Sequence, residues 1–255
     1  MMQSDNFDPG PPPDWENLYR QAPLRAYINH PSNRFHCTFG PVFYRGRLDG
    51  TARVLIIGQA PSVDDVFARR AWIGQSGQQM QGFLRKMGIT RSYVMINTFL
   101  YGVRGPFDRA LRRIALETAI CEYRNIILDN ILRTNALEAV IAVGEAAQTA
   151  VEHWDDLQYF GVPVFSVTHP SARGQNVSQV LGNWQRALDD LRVVVRPEVD
   201  VDAPPYRDDI TPDDILRIPR GDLPFGVPDW LGTGGTHGTR TRPNRIAWTA
   251  PQSFS

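Results

Sequence analysis

The stretch VLIIGQAPS, residues 54–62, passes from a continuous apolar run straight into Gly58, Gln59, Ala60, Pro61 and Ser62. Apolar residues in unbroken succession, not in alternation, suit a strand buried on both faces of a parallel sheet. Three more runs share this character: YVMIN at 93–97, AVIAVG at 139–144 and PVFSVT at 163–168. Helical stretches separate them. GQQMQGFLRKM at 77–87 sets Met80, Phe83, Leu84 and Met87 on one face, and 108–133 repeats the pattern through Leu111, Ile114, Ala115, Thr118 and Cys121. Residues 145–153 and 178–195 supply two further helices. This alternation predicts an α/β fold, a three-layer α/β/α sandwich around a central four-stranded parallel sheet.

Around this middle the composition changes. A Pro-rich start leads into the body, and segments such as DAPPYRDDITPDD and GTGGTHGTRTRPN near the end carry no sustained apolar period. The expected organisation is an N-terminal extension over 1–30, one domain over 31–196, and an extended or disordered Pro/Gly/Asp-rich tail over 197–255. No run of about 18 apolar residues exists, so no membrane-spanning helix is expected. The opening MMQSDNFDPGPPPDW lacks the basic-then-apolar pattern of a secretory signal, which predicts a cytoplasmic protein. Two cysteines, Cys37 and Cys121, are too few for a disulfide framework, a four-thiolate zinc site or an iron–sulfur cluster, and no metal or other cofactor is expected.

The formal net charge is zero but unevenly spread. Residues 197–255 hold 6 Arg against 9 acidic residues, which leaves 21 Lys plus Arg against 18 acidic residues in the first 196. Lys86 is the only lysine, so the positive charge of the body is almost all guanidinium, the group suited to bidentate phosphate contacts.

The strand ends carry the chemistry. Ligands of open parallel sheets bind outside the carboxyl ends of the strands. There the sequence places Gly58-Gln59, Asn97, Gly144-Glu145 and Thr168-His169-Pro170-Ser171. Each polar side chain alone could merely cap a strand. Two amides and an imidazole converging on one crevice make a site that reads hydrogen bonds, with no strong nucleophile among them. A flavodoxin-like nucleotide site would call for a Gly-rich loop after the first strand, and SVDDVFARR is acidic instead.

With these residues placed, GQAPS at 58–62 and HPS at 169–171 resemble the first and last signature motifs of the uracil-DNA glycosylase superfamily. RAWIGQSGQ at 70–78 resembles a segment of that superfamily's bacterial and archaeal iron–sulfur branch, and Asn97 of MINTFLYG falls where this branch has its base-reading asparagine. The matches span about 53–175 in the family's order.

The resemblance implies a DNA-repair hydrolase that cleaves the N-glycosidic bond of uracil or a related deaminated base in DNA. Trp72 would stack on the flipped base, Gln59 would lie against its carbonyl edge, and Asn97 would offer a donor to O4 and an acceptor to N3–H. His169 would donate to O2 as charge develops there, a contribution of about 3 kcal/mol for such a donor. Ser171 would bond a DNA phosphate, and Arg173 would stack in the gap left by the flipped base or contact phosphate.

Departures from the family pattern matter too. The best-known branch has a water-orienting aspartate where this chain has Ala60, and either Asp64 or Asp65 would take over that role. The cluster cysteines are absent. The expected partner is damaged DNA, and the chain is expected to act as a monomer. The alternative is a member of the same superfamily that captures a base without cleaving it.

Overall fold

The computed structural model describes residues 7–172, 174–198, 208–227 and 231. In chain order the elements are α1 (Pro13–Arg20), α2 (Leu24–Ile28), β1 (Phe35–His36), β2 (Arg45–Gly46), β3 (Val54–Gly58), α3 (Val63–Ala68), α4 (Gln75–Lys86) and β4 (Tyr93–Asn97). They continue with β5 (Gly102–Val103), α5 (Arg109–Ile114), α6 (Thr118–Thr134), β6 (Ala139–Val143), α7 (Glu145–Glu152), β7 (Val164–Val167) and α8 (Val177–Val194).

The central sheet has the order β2-β4-β3-β6-β7. The four runs expected as strands are its parallel members, with Gly58 paired to Asn97 and Ile57 to Ala142. The sheet is five-stranded, not four: two residues, Arg45 and Gly46, add an antiparallel edge against Met95 and Val94. A two-residue strand is too short to show a period.

Every residue of β3, β4 and β6 is buried. Alternate side chains therefore feed separate cores. Leu55, Ile57, Val94, Ile96, Val140 and Ala142 join residues of α1, α2, α5, α6 and α7 on one side, and Val54, Ile56, Met95, Ile141 and Val143 join those of α4 and α8 on the other. That is the α/β/α sandwich. The chain moves from β3 to β4 on one flank, then crosses to β6 and β7 on the other, so a crevice opens where the order reverses.

Other departures from the sequence reading have local causes. The stretch 108–133 is two helices, broken after Ile114, and the Arg124 side chain donates to the Ala115 carbonyl at 2.7 Å, which satisfies an end group the break leaves open. Described residues of the stretch before 31 pack into the domain. Trp15, Tyr19 and Tyr27 enter the core, and Trp15 Nε1 donates to the Leu48 carbonyl at 3.0 Å. Residues 208–227 are irregular chain laid against the body, with Ile218, Asp222 and Leu223 buried. Among the described residues no helix is long and apolar enough to cross a membrane.

Candidate active site

A cleft of about 240 Å3 lies at the carboxyl ends of β3, β4 and β7, lined among others by Ala60, Asp64, Trp72, Asn97, His169 and Ser171. Sites for drug-sized ligands run to roughly 300–1,000 Å3, so this one is scaled to a single small ring system. Its walls depend on absent side chains. A Cβ on Gly58 would collide with the Trp72 ring and the Asn97 amide, and a Cβ on Gly77, in the first turn of α4, would collide with the Trp72 carbonyl. A Cβ on Gly144, which has φ +81°, would lie 2.9 Å from the Cβ of His169.

Trp72 is the aromatic wall. Its backbone is left-handed at φ +61°, a conformation rare for a bulky residue and held here from both sides. On one side Nε1 donates to the Ile96 carbonyl at 3.2 Å, and on the other the next amide, that of Ile73, donates to Asp65 at 2.5 Å. The Trp72 and His169 rings lie 6.4 Å apart, tilted by 33°.

Asn97 ends β4 and lines the cleft together with Trp72. Its Nδ2 is buried and has no hydrogen-bond partner. A buried donor left unpaired costs on the order of 1–3 kcal/mol, and a ligand acceptor would recover it. The backbone after it is fixed: Thr98 donates through both N and Oγ1 to the Gly58 carbonyl at 2.8 Å, and Phe99 N donates to the Gln59 carbonyl at 3.0 Å.

His169 is half-buried, and the amide of Ser171 donates to its Nδ1 at 3.1 Å. An amide can only donate, so Nδ1 is the acceptor and the neutral ring carries its proton on Nε2. Burial lowers the pKa of His169, which keeps the ring neutral near pH 7. The residue just before it is braced by α8: Asn183 Oδ1 accepts from Thr168 N at 2.7 Å, and Trp184 Nε1 donates to the Thr168 carbonyl at 2.8 Å.

The adjacent aspartates are given different surroundings by a short helix that the sequence reading does not include. Ser62 and Asp65 form a capping box for α3: Ser62 Oγ accepts from Asp65 N, and Asp65 Oδ2 accepts from Ser62 N at 2.8 Å. The other oxygen, Oδ1, accepts from the amides of Ile73 and Gly74 at 2.5 and 3.4 Å. Asp65 is thus buried and engaged by backbone, where it holds the Trp72 loop. Asp64 is half-buried in the cleft wall, and its carboxyl is pushed up to about 6 by burial and by the neighbouring Asp65 charge.

The structure therefore brings Trp72, Asn97, His169, Ser171 and both aspartates to one cleft. Gln59 sits half-buried at the tip of β3 outside the lining, and Arg173 lies outside the described residues. Ser62, Gln75 and Ser76 also line the cleft and escape the sequence reading, although Ser62 heads an S-x-x-D spacing that marks a helix start. Cys37 and Cys121 are free thiols, and two sulfurs cannot supply the ligands of an iron–sulfur cluster. Among the described residues no group of three or more His, Cys, Asp and Glu side chains gathers as a metal site. A family model described as the uracil DNA glycosylase superfamily matches residues 45–192 of the 255-residue chain.

Proposed function

Because the chain belongs to the uracil-DNA glycosylase superfamily, we propose that it hydrolyses the bond between deoxyribose and uracil, or a related deaminated base, in DNA. One observation carries this reading: the unpartnered Asn97 Nδ2 and the Nε2–H of a neutral His169 belong to residues lining the same base-sized cleft. A flipped base would lie along the Trp72 ring, its O4 accepting from Asn97 Nδ2 and its N3–H donating to Asn97 Oδ1. Cytosine presents the reversed pattern at that edge and would lose both bonds.

As the glycosidic bond breaks, its electron pair stays with the base and charge gathers on O2 and O4. His169 Nε2–H donates to O2 and stabilises that charge as it develops, with no proton transfer required. Ala60 brings no carboxylate to the cleft, whereas Asp64 does. Ionised, it faces the cationic sugar and accepts a proton from the water whose oxygen bonds to C1′; the departing uracil anion takes a proton at N1 from solvent to give free uracil, and Asp64 returns its proton to solvent. Ser171, exposed at the rim, serves a phosphate, as does Arg173.

The test is direct quantitation of free base released from oligonucleotides carrying uracil, hypoxanthine or xanthine, alongside filter retention of the same DNA. Release of at least one of these bases well above background is expected. Retention of damaged DNA without release identifies the base-capturing alternative, and the absence of both contradicts either reading. Ala60→Asp adds a discriminating arm. If Asp64 already handles the water, the added carboxylate leaves the rate unchanged or lowers it, while a rate rise of about 100-fold would assign the water to the Ala60 position.

A further inference from the structure

Arg45, Arg70 and Arg124 are the buried arginines among the described residues. Arg45 faces Asp222 at 3.7 Å, and Arg70 Nε donates to Asp8 at 2.5 Å. Arg124, 4% exposed, meets no carboxylate among the described residues. Its Nη1 donates to the Ala115 carbonyl at 2.7 Å, its Nη2 reaches Cys121 Sγ at 3.1 Å, and its Nε is buried without a partner. The hydroxyl of Tyr19 is likewise buried and unpartnered.

Both residues line one small cavity, of about 20 Å3, on the α1/α6 side of the sheet. A void above roughly 10–15 Å3 holds one water-sized particle. The remaining walls are neutral. Tyr123 Oη already donates to the Leu18 carbonyl at 3.2 Å and Thr98 Oγ1 to the Gly58 carbonyl at 2.8 Å, which leaves Arg124 Nε and Tyr19 Oη, with the Asn97 Nδ2 that also belongs to a lining residue, as donors in search of an acceptor. Burial raises the pKa of Tyr19, Tyr27 and Tyr123, so these side chains stay phenols and cannot supply the missing negative charge. A guanidinium does not shed its proton in a protein, and buried charges are paired. Water would satisfy the geometry and leave the charge unmet.

We propose that this cavity binds a monatomic monovalent anion of the chloride class, held between Arg124 Nε and Tyr19 Oη. Ile96, Asn97 and Thr98 form part of its wall, so the occupant sits directly behind the strand tip that carries the amide of the active-site cleft. The ion acts as a structural ligand of the folded state, and its test reads stability and not base release, although Asn97 lines both the cavity and the cleft.

Thermal unfolding of the full chain in sodium chloride, sodium bromide and sodium glutamate at equal ionic strength tests this. Glutamate matches the ionic strength and is too large for the cavity. The melting temperature should rise saturably in chloride and bromide, ending about 3 °C or more above its value in glutamate. Arg124→Met should abolish the difference, and Tyr19→Phe should move the half-saturation point to higher chloride. Should Arg124→Met fail to fold, wild-type crystals grown in bromide give an independent reading, with an anomalous peak expected in contact with Arg124 Nε. Equal melting temperatures in all three salts, or a cavity without bromide in the bromide-grown crystals, would overturn the proposal.

Discussion

The proton on His169 sits on Nε2 because the Ser171 amide occupies Nδ1. A donor aimed at charge that exists only in the transition state affects turnover more than binding. His169→Ala is therefore expected to slow excision by about 100-fold or more while DNA affinity changes little, as read by single-turnover kinetics beside filter binding. In the proposed mechanism Asp64 sets the acid limb. Its carboxyl, pushed up to about 6, must ionise to act, so the rate should fall as pH drops through that value, and Asp64→Asn should both lower the rate and remove that limb. Stability moves the other way. The folded chain holds the Asp64 proton more tightly than the unfolded chain, so this group costs stability as pH rises toward about 6. Asp64→Asn should accordingly melt no lower than wild type at pH 7 and higher if nothing else changes, in a thermal scan. Asn97 and His169 are visible in the sequence because buried strands end abruptly in polar groups. The division of labour between Asp64 and Asp65 is not, since adjacent residues differ only in which way a helical turn points them. The Ser62–Asp65 spacing, a helix-start signal, is the one clue the sequence offers to it.

At the scale of elements, the cleft depends on α4 and α8 as much as on the strands. Gly77 lies in α4, where alanine would normally stabilise a helix by up to about 1 kcal/mol. Here the added methyl would strike the Trp72 carbonyl, and Gly77→Ala is expected to destabilise by about 1–3 kcal/mol in urea denaturation and to displace the aromatic wall. From α8, Asn183 fixes the amide of Thr168 beside His169. Asn183→Ala should cut kcat by about 10-fold or more with KM nearly unchanged, since it loosens a donor that acts on the transition state. The four parallel strands are legible because short, continuously apolar runs that end in glycine or a polar residue match a strand covered on both faces. The edge strand at Arg45–Gly46 and the five-residue α2 are too short to show a period. The break between α5 and α6 has no sequence punctuation at all: it is tied down from a distance by Arg124.

For the whole molecule, the family-matched region ends at residue 192, yet the chain returns to the body beyond it. Asp222, fully buried, pairs with Arg47 at 3.1 Å and with Arg45 at 3.7 Å, and accepts from Tyr93 Oη at 2.5 Å. Ile218 and Leu223 pack on Ala68 and Ile73, at the end of α3 and beside Trp72. This segment thus clamps the loop that forms one wall of the cleft. Asp222→Ala would leave two guanidinium groups short of their carboxylate, one of them fully buried, and should cost about 3–5 kcal/mol in a denaturant titration. Composition alone suggests a loose tail, because a few anchoring residues among many Pro, Gly and Asp leave no periodic signal. Under the proposed function the cleft cleaves a base from DNA and does not merely hold it. The most direct measurement is single-turnover release of free uracil from a uracil-containing oligonucleotide by the full chain and by His169→Ala at matched DNA occupancy. Release by the wild type is predicted, with a loss of about 100-fold or more in the variant. Equal release by both proteins, or no release of uracil by the wild type on DNA it demonstrably binds, would contradict it.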